Sequence, residues 1–222
     1  VVQFEMTSGF RMGRMGMAMS KWLWIIGGVL LAGPLAAQTY PCGAGTRGLT
    51  YDEYAAQEYD SGTGQLERAR RFEAEHAAIP DAGDKAKNEK KIQRAYYTAK
   101  RHFDRALECD NRLTEAYTAR GLALRKMGEL DDSLDSYDAA LALEPENADS
   151  LLGRAETYLA LNRFDDVKAA YLQLSAAHPE AASGLLVAMQ AWVEDTAGDS
   201  GSDAAKAFAD WVRGGARTSE AS

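Results

Sequence analysis

Thr114 to Asn147 reads TEAYTARGLALRKMGELDDSLDSYDAALALEPEN, and the spacing of its apolar, small and turn residues decides the fold. Tyr117 and Leu124, with the small Ala116 and Gly121, recur at three- and four-residue steps and so share one helix face. Gly128 supplies the left-handed or tightly turned residue that ends a helix. A second pattern, Leu130, Leu134, Tyr137 and Leu141 with small Ala140, runs to Pro145, which cannot continue a helix. The stretch is therefore a helical hairpin.

The chain then repeats it. Ala148 to Ala181 sets Leu151, Ala155, Tyr158, Phe164, Tyr171, Leu174 and Pro179 where the first unit has Tyr117, Gly121, Leu124, Leu130, Tyr137, Ala140 and Pro145. A period of about 34 residues with an aromatic, a small residue, a second aromatic and a closing proline resembles the tetratricopeptide repeat. Such a hairpin cannot bury its apolar face alone, so flanking helices are expected on both sides. The resemblance implies an all-α fold, a right-handed superhelical stack of antiparallel helix pairs, with repeats at 114–147 and 148–181.

Outward from that pair, 49–113 reads as degenerate helical hairpins. A short helix opens with the capping-box pattern Thr50 to Glu53, and SGTG at Ser61 to Gly64 is expected to break it. A second helix with Leu66, Ala69 and Phe72 inward then runs to Ala78, with Ala56 and Tyr59 at the small and aromatic positions of a worn repeat. After a turn over Ile79 to Asp84 a long helix carries Tyr96, Ala99, Phe103, Ala106 and Leu107 as the second helix of a repeat. Its lysines at 85, 87, 90 and 91 are a solvated face, or a basic groove for an acidic partner. Residues 182–215 form a further first helix, with Leu185, Ala188, Met189 and Trp192 inward, then a GDSGS linker and a capping helix with Phe208 and Trp211 over the open end. The tail, 216–222, is small and polar and is expected to be disordered.

Residues 1–37 read as leader and signal peptide. Lys21 precedes the uncharged run Trp22 to Ala32, and Gly33 to Ala37 offers small residues for cleavage. The alternative is an uncleaved anchor in the inner membrane through residues 22–37. Export to the periplasm or medium fits the cysteines, Cys42 on the loose arm 38–48 and Cys109. They pair as a disulfide, or Cys109 is buried and Cys42 stands alone on the arm; both readings are open.

The 222 residues are 46% apolar and 26% charged, ordinary for a globular domain, and the formal charge of −8 leaves no basic excess to neutralise phosphates. No nucleic-acid partner is therefore expected. His76, His102 and His178 lie far apart, with no cysteine or second histidine at metal-ligand spacing. GxSxG, GxxxxGK[ST] and HExxH are all absent. The expectation is a non-enzyme with no cofactor, whose acidic run Asp131, Asp132, Asp135 and Asp138 serves a helix N-terminus.

By the same resemblance, first helices line a concave groove that takes a partner segment. Carried over by register, that groove shows Glu115, Thr118, Leu122 and Arg125, then Asp149, Leu152, Glu156 and Leu159, with Leu186 and Gln190 beyond. Members that clamp a chaperone's C-terminal carboxylate use Lys and Asn where this chain has Thr118, Leu122 and Gly153. The mixed leucine and acidic lining suits an amphipathic or basic segment instead. Arg120 and Arg154, equivalent in the two repeats, read as structural ion-pair residues, or else as ligand contacts. The expected role is an adaptor or assembly factor of the cell envelope whose partner is another protein or peptide; the alternatives are a self-associating homo-oligomer and, least supported, a small-molecule binder.

Overall fold

The computed structural model describes residues 48–196 and 202–216, all within the compact unit Thr39–Ser222. The signal-peptide reading, the arm through residue 47, Cys42, residues 197–201 of the linker region and the tail from 217 lie outside the described residues. Among the described residues there are eight helices and no strand: α1 Tyr51–Ala78, α2 Ala82–Cys109, α3 Thr114–Met127, α4 Leu130–Leu143, α5 Ala148–Ala160, α6 Phe164–Ala177, α7 Pro179–Thr196 and α8 Asp203–Arg213. Each packs on the next, and the first helices also touch one another, α1 on α3, α3 on α5 and α5 on α7. That pattern makes a solenoid of the tetratricopeptide type.

Local chemistry sets the ends. Thr50 and Glu53 close a reciprocal capping box, Glu53 N donating to Thr50 Oγ1 at 3.3 Å and Thr50 N to Glu53 Oε2 at 2.8 Å. Asn147 Oδ1 accepts from Ser150 N at 3.0 Å to start α5. Gly128, at φ 81°, ends α3, and Glu129 N reaches back to Leu124 O at 3.0 Å. Asn162, at φ 57°, repeats this device for α5, with Arg163 N donating to Tyr158 O at 2.9 Å.

Three expectations need correction. The SGTG stretch does not break a helix: α1 is continuous through it, because Gly62 is where the Phe103 ring of α2 presses closest. A Cβ there would stand 2.5 Å from Phe103 Cε1. The interval before Ala78 is thus one long helix, paired with α2, and Ala55 rather than Ala56 is buried. Next, α2 begins inside the stretch read as a turn, with Asp81 Oδ1 accepting from Asp84 N at 2.9 Å. Last, Ala216 is ordered structure: it is 4% exposed, and its N–H closes the α8 terminus on Trp211 O at 3.0 Å beyond Gly215 at φ 88°.

Between the two clear repeats, the Tyr137 ring fills the space left by two glycines. A Cβ on Gly121 would lie 2.9 Å from Tyr137 Cε1, and one on Gly153 would lie 2.5 Å from both Cε1 and Oη. Around this ring the buried hydroxyls are satisfied, Ser133 Oγ donating to Gly121 O at 2.9 Å and Thr157 Oγ1 to Gly153 O at 2.8 Å. Arg120 and Arg154 each reach back to the preceding second helix, to Asp104 at 3.5 Å and to Asp138 at 2.8 Å. Their equivalence is a repeat-to-repeat ion pair. At the far end Phe208 is fully buried, its ring 4.7 Å from Phe164 and 5.4 Å from Trp192.

Candidate partner-binding groove

Because α1, α3 and α5 are all first helices of their pairs, they stand side by side on one face and enclose a hollow of about 450 Å³. The floor is α3, through Thr118, Ala119 and Leu122, with the edge of Tyr137 showing beneath. One wall is α5, through Asp149, Leu152, Gly153 and Glu156, preceded by Asn147. The other is α1, through Tyr59, Thr63, Leu66, Glu67 and Arg70. Seven residues named from the sequence, Glu115, Thr118, Leu122, Arg125, Asp149, Leu152 and Glu156, come together there.

Three do not. Leu159, 6% exposed, is buried in the same apolar cluster as Met189 and Val193 of α7; an apolar side chain at this register position is covered by the next first helix. Leu186 is half-buried against that cluster and Gln190 is exposed on α7, and neither lines the hollow. The α1 wall escaped the sequence reading. The signal that could have found it is Gly62, which meets Phe103 as Gly121 and Gly153 meet Tyr137.

Most polar groups in the lining already have partners. Arg125 pairs with Glu156 across α3 and α5, and Arg70 pairs with Glu67 within α1. Thr63 Oγ1 donates to Tyr59 O at 3.0 Å, and Thr118 Oγ1 meets Thr114 O at 3.0 Å and Ser150 Oγ at 2.6 Å. Asn147 uses both ends of its amide, on Ser150 N and Glu144. Glu115 and Asp149 are exposed and have no ion-pair partner among the described residues. Burial pushes the Tyr137 phenol up to about 12, so it stays protonated.

A larger hollow, about 690 Å³, opens between α7 and α8 over Phe164 and Trp192. Its charged residues are spoken for, Arg213 by Asp210 at 3.1 Å and Lys206 by Asp203 at 3.7 Å, so it offers a ligand less. Among the described residues no group of His, Cys, Asp and Glu is placed to hold a metal ion. No described helix is long and apolar enough to cross a membrane. His102 Nδ1 lies 2.7 Å from Glu58, tying α2 to α1, while Cys109 is half-buried at the end of α2.

A stack of helix pairs with an open hollow on its first helices defines a helical-repeat fold of the solenoid class. The family model of the tetratricopeptide repeat matches residues 124–189, from the last turn of α3 into α7. The chain therefore carries tetratricopeptide repeats over 124–189, and paired helices continue on both sides of that stretch. No curated protein matches it. Repeats of this family generally mediate protein–protein interaction.

Proposed function

We propose that this chain is an exported adaptor or assembly factor of the cell envelope, which holds a segment of a partner protein in the hollow between α1, α3 and α5. The observation that carries the reading is that the half-buried Leu122 and Leu152 line an open hollow, with no described part of the chain lying over them. Export is supported by the sequence alone, through Lys21, the uncharged Trp22 to Ala32 and the small residues ending at Ala37. A photo-reactive amino acid at Arg70, on the rim, should cross-link a discrete partner in the native host. The same group at Val187, exposed on α7 away from the hollow, should not. Equal labelling from both positions, or none from either, would refute the adaptor reading. N-terminal sequencing and intact mass of the native protein test the rest: a start near Gln38, with a mass two hydrogens short, shows export and a Cys42–Cys109 bridge together.

A further inference from the structure

We propose that the hollow selects a cationic segment, seating a lysine or arginine side chain between Glu115 and Asp149 while its apolar side chains rest on Leu122 and Leu152. This rests on the hollow being the binding site and adds the chemistry of what fills it. The argument is one of charge left over. At one end of the hollow every charge is matched within the chain, Arg125 by Glu156 and Arg70 by Glu67. At the other end, Glu115 and Asp149 occupy the first turns of α3 and α5. Because these helices hold the same place in successive repeats, the two carboxylates come to the same end, with no ion-pair partner among the described residues. First-turn carboxylates do ease the helix dipole, but that interaction is worth a fraction of one charge. A segment carrying carboxylates would meet this pair head-on, whereas one carrying an ammonium or guanidinium group would complete it. The threonine and asparagine side chains of the lining are engaged in hydrogen bonds, so charge at this end, with apolar fit on the floor, decides between segments.

The test is selection of random displayed peptides on the immobilised full chain, followed by anisotropy titrations and cross-linking mass spectrometry to locate each selected peptide. Peptides that cross-link to α3 and α5 are expected to pair lysine or arginine with leucine-like residues. The double variant Glu115→Gln, Asp149→Asn should weaken them about tenfold or more, and added salt should do the same. If the peptides located in the hollow are neutral or acidic, or bind the double variant as well as the parent, selection by charge is overturned while binding in the hollow stands. If no peptide can be located there, both readings fall. A second copy of the chain in the hollow, seen as a mass that rises with concentration in sedimentation, would also overturn the proposal.

Discussion

Replacing Gly153 with alanine tests the packing that joins the two clear repeats. In an ordinary helix interior the change should help, since alanine is favoured over glycine by about 1 kcal/mol. Here the new methyl would fall 2.5 Å from Tyr137 Cε1 and Oη. The ring cannot retreat freely, because on its other side the α3 backbone at Gly121 is so close that a Cβ there would be only 2.9 Å away. Overpacking of this kind costs about 1 to 3 kcal/mol, and a ring held from both sides puts the cost at the upper end. The net expectation is a loss of about 2 kcal/mol, a fall in Tm of roughly 4 to 8 °C for a chain of this size. The internal control is Gly64→Ala, also within a helix but with nothing within 4 Å of the added Cβ; it should gain up to about 1 kcal/mol. Thermal and urea unfolding followed by far-UV circular dichroism reads both. Combining Gly153→Ala with Tyr137→Phe removes the Oη contact and should recover part of the loss, a coupling that a double-mutant cycle measures. If Gly153→Ala proves as stable as the parent, or rises with Gly64→Ala, the ring does not lie between the two glycines and the account of repeat stacking is wrong.

Alkaline pH should unfold the chain through its buried phenols. Tyr137 is raised from 10 to about 12, so its contribution is complete below pH 10 and is lost as pH climbs toward 12. At two pKa units this amounts to about 3 kcal/mol, and Tyr96, raised by burial and by its hydrogen bond to Glu73, acts in the same direction. Tyrosinate absorbance should therefore lag behind that of exposed tyrosines until unfolding, and Tyr137→Phe should move the alkaline midpoint upward. Phe208→Ala removes the ring that seats α8 on Phe164 and Trp192, at a cost of about 3 to 5 kcal/mol; α8 should detach and be cleaved at Lys206 or Arg213 in limited proteolysis while the other helices persist. Unchanged protection of α8 would refute this. Thr50→Ala opens the capping box and should cost about 1 kcal/mol, seen as faster amide exchange in the first turn of α1.

The two clear hairpins were legible because their signals are local: apolar residues at helical steps, Gly128 at the turn, and the same order 34 places later. The opening of the chain misled for the opposite reason. Gly62 and Gly64 read as helix breakers when only their neighbours in sequence are weighed, yet Gly62 is needed by Phe103 on the partner helix, and that pairing spans 41 positions where Gly121 and Tyr137 span 16. The lengthened arms of the α1–α2 hairpin hid the repeat's own signature, and with it the wall of the hollow built by Tyr59, Leu66 and Arg70. Leu159 shows the complementary limit. It shares its register position with Arg125, so spacing alone put both in the groove, but an arginine stays at the water with Glu156 while a leucine is buried with α7. The charge of the hollow divides along the same line. Four carboxylates and two arginines can be counted in the lining, but which cations are spent depends on contacts such as Arg125 with Glu156, 31 positions apart. Only after those pairs are removed do Glu115 and Asp149 remain without an ion-pair partner among the described residues, and it is on this remainder, rather than on the acidity of the whole chain, that the proposed choice of a cationic segment rests.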